Sequence, residues 1–400
     1  MIAPAGTATD NDPPVLHAAI GLADEIDAAS AALEQERRLP QSIASAMKDA
    51  GIFGMAMPRQ WGGLELDPLT QFRIIEALAM ANGSAGWCAM INCDSGYASA
   101  FLDQDVARAM YSDINMATGS TVTPVGVAAR VADGYRVSGR FPFVSGVHHC
   151  DWVFVGCVVT EDGTPRISEH GVPETRQCFL RPSEFEILDT WHTSGLRGTG
   201  SHHIAVTDVL VPAEQTFSFQ DPSIVKRSGP LYSFPLLFTA KLSAPALGIA
   251  RRAIDFVINE ARGKKARQYR TGNELEPPKK LAEDIHLQEA VMRADATLLS
   301  ARAYAFQIIG ELWETLVEAR RPSPVLLSHF EILYLHVGGA CVEAVQLVCK
   351  AAGGAAVYQG VLDRCLRDTL AANQHTRGSA RHYEAAGRLV FGLDPLTPLL

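Results

Sequence analysis

The sequence predicts an α+β chain, mainly α, in three parts: a helical N-terminal domain over residues 15–115, a β domain over 116–225 and a helical four-helix-bundle domain over 226–400. Three observations predict it. Apolar residues recur every three or four positions up to about Met110. Short β-rich runs divided by turn signals follow from Met116. After Pro230 the helical period returns in long stretches.

Residues 1–14 are rich in Ala, Thr, Asp and Pro and are expected to fray. Leu22, Ile26, Ala29 and Leu33 then give one apolar helix face. Pro40 is placed to open the next helix, where a missing N–H costs nothing; Ile43, Met47 and Ile52 follow, with Gly51 near the stop. Residues 58–63 read as a loop, and Pro68 leads into Phe72, Ile75, Leu78 and Ala79. Small residues from Ala79 to Ala89 predict close helix packing. In the middle part, Asp133-Gly134 is a strong hairpin signal. Strand runs are expected at Thr121-Val122, residues 152–159, 177–180, 185–188 and 203–211, which together suggest a small barrel or sandwich. Helices are expected over 242–258, 281–318, 324–353 and 362–386, with a break at 271–280.

With 35 basic and 44 acidic residues in 400, the net charge is −9, and no basic stripe appears, which argues against nucleic acid as a partner. Hydrophobic residues at 47% exclude a largely disordered chain. The eight cysteines form no CxxC pair and read as buried free thiols of a cytoplasmic protein. No signal peptide is recognised, and no run of about 20 apolar residues suggests a membrane span.

Neither GxGxxG nor GxxxxGK[ST] occurs. The run Gly195-Leu196-Arg197-Gly198-Thr199-Gly200-Ser201 suits either an anion or planar ligand, or a plain tight turn. His148-His149 and His202-His203 are adjacent pairs, which point to opposite faces of a strand, so no metal site is expected. Ser145 lacks the GxSxG setting of a nucleophile. His375 falls late in a helix, where a capping role is common, and Arg364, Arg367 and Asp368 read as a salt-bridged surface. The residues by themselves reach a three-part protein with room for a ligand between its parts, and no reaction.

Three segments carry a resemblance: residues 134–146 (GYRVSGRFPFVSG), residues 191–201 (WHTSGLRGTGS) and Arg364-Cys365-Leu366-Arg367-Asp368. With the α–β–α order, they resemble the acyl-CoA dehydrogenase superfamily over nearly the whole chain from about residue 20. The Phe-Pro-Phe-Val-Ser-Gly run and the terminal Arg-Asp…Gln-His segment look most like its two-component flavin-dependent monooxygenases. Dehydrogenases of this superfamily that use a late glutamate place it shortly after the Arg-Asp pair; residues 369–378 hold no carboxylate.

The resemblance implies a fold with a middle β-barrel between helical domains. It implies an oxygenase that takes reduced FMN or FAD from a separate NAD(P)H-dependent flavin reductase. With O2 it would form a C4a-hydroperoxyflavin and hydroxylate a small aromatic, phenolic substrate. A dehydrogenase-like flavoenzyme and a flavin-free interaction protein are the alternatives. By motif, Ser145 would lie near flavin N5 and His375 near flavin and substrate, as the catalytic pair. Phe143 and Val144 would contact the ring, Thr123 would approach it, and Thr199 and Ser201 would face the phosphate or ribityl part. Lys264 or Arg267 would supply a basic contact. Gly353-Gly354 resembles a run that packs near the flavin of a neighbouring subunit, implying a homo-oligomer, a tetramer in relatives. The substrate would meet Asn92, Tyr97, His375 and one of His148 and His149.

Overall fold

The structure, a computed structural model, describes residues 4–168, 171–221, 223–263, 270–271, 274–275 and 280–394. The N-terminal part holds α1 (Pro14–Gly21), α2 (Ala23–Ala28), α3 (Ser30–Glu36), α4 (Gln41–Asp49), α5 (Pro68–Ala81), α6 (Gly83–Asn92), α7 (Ser95–Ser99) and α8 (Gln104–Met110). The first three are one apolar stripe broken only at Leu22 and Ala29, with Ile26 and Leu33 fully buried. Asp67 starts α5 by accepting the Leu69 and Thr70 N–H groups, both at 3.0 Å, with Pro68 in the first turn. The small residues act as expected: a Cβ on Gly86 would lie 2.4 Å from that of Ala79, so α6 can approach α5 only without one.

The middle part holds β1 (Thr118–Val131), β2 (Gly134–Val144), β3 (Trp152–Glu161), β4 (Thr164–Pro165), β5 (Thr175–Leu180), β6 (Glu186–Leu188), β7 (His202–Pro212) and β8 (Thr216–Phe217). They form one sheet in the order β6-β7-β2-β1-β3-β5-β8, with β4 on β3. The β1–β2 hairpin turns at Ala132-Asp133, and β1 and β3 run parallel. Where a small barrel or sandwich was expected, the strands form a single sheet. Side chains of β1, β2, β3, β5 and β7 share one apolar core, while among the described residues the strand path does not close by hydrogen bonds.

The C-terminal part holds α9 (Ala244–Gly263), α10 (Ile285–Val317), α11 (Pro324–Ala352), α12 (Val361–Ala372) and α13 (Arg381–Val390). The single last helix expected over 362–386 is two helices. Residues 373–380 carry a cap and a 3-10 turn, and His375 stands in that break with extended backbone (φ −58°, ψ 151°). The segment Gln374-His375-Thr376-Arg377-Gly378-Ser379 favours local capping bonds over helix continuation. α11 with the residues to Ala356 is long and apolar enough to cross a membrane by length and composition alone, and half of its most apolar stretch is buried inside the protein, as in a core helix.

α5 is central, packed by α6, α9 and α10. Its Glu76 meets Arg302 of α10 through two contacts, Nε–Oε1 at 2.7 Å and Nη2–Oε2 at 2.8 Å, with both side chains buried. Such a pair is weakly stabilising against an apolar isostere, but breaking it strands a buried charge. Glu76→Ala or Arg302→Ala alone is expected to cost about 3–5 kcal/mol in urea unfolding, and Glu76→Leu with Arg302→Met far less. Equal losses in the double and single variants would contradict this.

Candidate functional site

The β2 end, the loop before β7 and α6 meet at Ser145, and the turn after α12 reaches Trp87 of α6. Trp87 of α6 donates its indole N–H to Ser145 Oγ at 3.1 Å. Ser145 Oγ lies 2.7 Å from Ser201 Oγ, and Ser201 Oγ lies 2.7 Å from Thr199 Oγ1. Thr199 Oγ1 in turn donates to the Leu196 carbonyl at 2.9 Å. With Thr199 Oγ1 taken as a donor to that carbonyl, which also accepts the Thr199 N–H at 3.1 Å and the Trp191 indole N–H at 3.0 Å, the chain acquires a direction. A hydroxyl has one proton and two lone pairs. Thr199 gives its proton to the carbonyl, so Ser201 donates to Thr199, and Ser145 donates to Ser201. Ser145 has then given its proton, taken one from Trp87, and keeps one lone pair: towards anything else it is an acceptor.

Sequence positions explain the geometry. Gly146 lies at φ 72° and donates to the Thr199 carbonyl at 2.8 Å, which locks the β2 end onto the Gly195–Ser201 loop. Phe143 is held at φ 61° with 63% of its surface exposed, its ring edge-on to Trp191 at 6.2 Å. A bulky residue at positive φ is strain of the kind that clusters at functional sites. Val144 points the other way, fully buried in the sheet core, and offers only its main chain.

His375 packs its ring edge against Trp87 at 6.1 Å and Tyr334 at 5.6 Å. Burial pushes its pKa down to about 4, helped by the nearby charge of Arg377 and by His382. The ring is therefore neutral near pH 7. Its Nδ1 accepts the Arg377 backbone N–H at 3.3 Å, which assigns the proton to Nε2. The turn is held by Glu331 of α11. One carboxylate oxygen takes Arg377 Nη1 at 2.9 Å and the other His382 Nδ1 at 2.6 Å.

Other expected residues stand elsewhere. Asn92, expected on the substrate, is fully buried and acts as a brace: Nδ2 donates to the Ser145 carbonyl at 3.1 Å, and Oδ1 meets His149 Nε2 at 2.9 Å. Tyr97 is also buried, with its hydroxyl accepting from Gln71 Nε2 at 3.2 Å and Lys241 Nζ 4.8 Å from its ring centre. That lysine is paired with Asp94 at 2.5 Å. The Asn92 and Tyr97 side chains are both engaged in these contacts. Burial pushes His149 down to about 4. His148 is exposed, its ring 5.2 Å from that of His202. Thr123 is exposed within the irregular stretch of β1 between Thr121 and Gly126. Gly353 and Gly354 are exposed at the end of α11 with open space where a Cβ would sit. Lys264 and Arg267 lie outside the described residues. Among the described residues no group of three His, Cys, Asp or Glu is placed to hold a metal, and all eight cysteines are buried free thiols.

Trp87 is buried in the main core and also gives its N–H to Ser145, and sequence reasoning did not find Glu331 or His382. Glu331 and His382 lie 51 positions apart and carry no local signal.

The aromatic walls, the acceptor hydroxyl and the neutral imidazole fit a flavin ring beside an aromatic substrate. Together with the α–β–α order they define a flavoprotein of acyl-CoA dehydrogenase type. The acyl-CoA dehydrogenase N-terminal domain family matches residues 20–104, and the C-terminal domain family matches residues 240–379. The oxygenase subunit HsaA of a flavin-dependent monooxygenase from Mycobacterium tuberculosis is 31% identical over 398 residues, 95% of this chain and 96% of the relative. Indole-3-acetate monooxygenase of Pseudomonas putida is 30% identical over 368 residues, 91% and 90% of the two chains. A crystal structure of the M. tuberculosis HsaA monooxygenase superposes with a TM-score of 0.86 at 27% identity, over 97% of this chain and 99% of that one. The chain belongs to the flavin-dependent monooxygenases of the acyl-CoA dehydrogenase fold, as an oxygenase component.

The histidine environments set the pH behaviour. His149 and His375 are depressed in the folded state, so below the ordinary 6.5 the unfolded chain binds more protons and stability falls as pH drops towards 4. Each contributes a loss of up to about 3 kcal/mol by pH 4. Thermal unfolding scans are expected to show Tm dropping below pH 6.5, with a shallower slope in His375→Ala. An NMR titration of the His375 imidazole is expected to show no inflection from pH 8 to about 5.5. An inflection near 6.5 would show that His375 is not held neutral by burial.

Proposed function

We propose that this chain hydroxylates a small phenolic compound, using O2 and reduced FMN or FAD delivered by a separate NAD(P)H-dependent flavin reductase. One oxygen atom enters the ring, the other leaves as water, and the reduced flavin supplies the two electrons. The flavin, when bound, activates the oxygen; the chain's residues bind, orient and manage protons. The observation that carries this reading is the direction of the Trp87–Ser145–Ser201–Thr199 hydrogen bonds. Ser145 is left as an acceptor, which suits flavin N5 in the reduced state, where it bears an N–H, and not in the oxidised state, where it bears a lone pair.

Thr199 and Ser201 hold that polarity. Phe143 and the Val144 main chain border the ring. His375 presents Nε2–H to the phenolic oxygen and supports its ionised form, which makes the neighbouring ring carbon electron-rich. Trp87 and Tyr334 close the site to water. The large apolar residues left exposed at the C-terminal end, Val357 (82%), Tyr358 (77%) and Phe391 (82%), with Gly353-Gly354 among them, support a homo-oligomer, a tetramer. The buried free thiols suit a reducing, cytoplasmic setting.

The test is single turnover with reduced FMN or FAD, 18O2 and a panel of phenols. One labelled oxygen in the product is expected; quantitative hydrogen peroxide with no labelled product for every phenol would overturn the reading. His375→Ala is expected to raise peroxide release at the expense of product by about tenfold or more. Thr199→Val should free the Ser201 proton for Ser145 and turn Ser145 into a donor. The preference for reduced over oxidised flavin, read as a ratio of dissociation constants, is then expected to fall about tenfold. An unchanged ratio would remove the hydroxyl chain from flavin selection.

A further inference from the structure

The face of α11 that meets the His375 turn carries Glu331, Tyr334 and Gly338, spaced three and then four positions apart and so on one side of the helix. Glu331 bonds Arg377 and His382, and the Tyr334 hydroxyl donates to the Ala372 carbonyl. Gly338 contributes by having no side chain. A Cβ there would lie 2.3 Å from Asn373 Oδ1 and 3.4 Å from Asn373 Cγ, so the Asn373 amide fills the space a side chain would take.

Glycine in a helix interior is less favourable than alanine, so one in mid-helix calls for a packing reason. α11 holds two in succession, and they differ. Gly338 is buried against Asn373, whereas Gly339 is exposed, with no described atom within 4 Å of where its Cβ would sit. Asn373 caps the end of α12, two residues before His375. Its Oδ1 is buried without a hydrogen-bond partner among the described residues, so packing and not a bond sets its approach to α11. The residue has little room to retreat. A Cβ on Gly378, in the 3-10 turn, would lie 2.7 Å from the Asn373 carbonyl oxygen. The Gly378 N–H also donates to the His375 carbonyl at 2.7 Å, which closes the turn around His375. Asn373 is therefore packed against two glycines, one on α11 and one within the turn.

We propose that Gly338 is a positioning residue for His375. Its missing side chain lets the end of α12 seat against α11, and that seat sets how the His375 ring meets Trp87 and Tyr334, now at 6.1 and 5.6 Å. The proposal rests on the hydroxylase reading for what the imidazole does, and adds the residue that fixes where it stands.

The experiment compares wild type with Gly338→Ala, Gly339→Ala, Asn373→Ala and the double variant Gly338→Ala with Asn373→Ala. One readout is the product-to-peroxide ratio in single turnover with reduced flavin, O2 and the panel of phenols. The other needs no turnover: the ring NMR resonances of His375 in the histidine-labelled full chain, assigned by their loss in His375→Ala and sensitive to the rings of Trp87 and Tyr334. In Gly338→Ala the resonances are expected to move and the ratio to fall about tenfold, since a misplacement of about 1 Å can cost roughly a hundredfold. Both should return to wild-type values in the double variant, where the added methyl has no amide to displace. Gly339→Ala and Asn373→Ala should leave both unchanged. A merely structural loss would not be rescued by removing a second side chain. An unchanged ratio in Gly338→Ala, an equal fall in Gly339→Ala, or a double variant no better than Gly338→Ala would each overturn the assignment. Resonances that move and recover, with no product from any phenol, sink the hydroxylase reading and leave the seat standing. Product formed at an unchanged ratio in Gly338→Ala does the reverse.

Discussion

Asp368 is a fully buried carboxylate on α12 that accepts the Leu196 backbone N–H at 2.6 Å, and through it the helical bundle grips the β-domain loop that carries Thr199 and Ser201. Burial pushes its pKa up to about 6, against the pull of the N–H bond and of Arg367 and Arg364. It is thus ionised at neutral pH, at some expense of stability. Three backbones converge there. A Cβ on Gly195 would sit 2.1 Å from the Arg367 carbonyl oxygen, and one on Gly83 would sit 2.9 Å from Asp368 Oδ2. The contact can form only because two of the three strands of chain have no side chain at that point. Leu196, in the left-handed region at φ 50°, both receives Asp368 through its N–H and terminates the hydroxyl chain through its carbonyl.

The site chemistry is a consequence of that junction. With Leu196 fixed, Thr199 has a defined acceptor for its proton, and the polarity of Ser201 and Ser145 follows by elimination. Asn92, itself bonded to His149, donates to the Ser145 carbonyl, while Trp87 of the same helix donates to the Ser145 hydroxyl. Charge is kept at a distance: the groups nearest the reacting region are hydroxyls, indole and a neutral imidazole. The ion pairs, Asp94–Lys241 and Glu331–Arg377, stand one layer back and hold chain segments. A hydroxyl or neutral imidazole can be buried when each polar atom finds a partner, whereas an unpaired charge cannot.

Much of this was legible in the sequence. The helical period placed most helices, and Asp133-Gly134 placed the hairpin, because these depend on neighbours within a few residues. Ser145, Thr199, Ser201 and His375 could be named because they lie in short runs with a recognisable pattern, and the structure brings Ser145, Thr199 and Ser201 together and seats His375 against Trp87. The break after α12 was hidden: Gln374 to Ser379 contains no proline, and what stops the helix is capping together with Glu331 of a different helix. Asn92 and Tyr97 were placed at the substrate by the resemblance, which carries no information on their partners in this chain. Their partners, the Ser145 carbonyl, His149 and Gln71, are set by tertiary contacts that periodicity does not contain.

The position of His375 in a break and not in a helix has a mechanistic side. In a helix its backbone would be bonded along the chain and its ring confined to the helix surface. In the turn its ring is free to lie between Trp87 and Tyr334, while its backbone carbonyl caps the Gly378 N–H at 2.7 Å. The same turn brings Arg377, whose charge helps keep the imidazole neutral, and Glu331 holds that arginine in place. Glu331 thus holds in place the two groups, Arg377 and His382, whose charges add to burial in keeping the imidazole neutral.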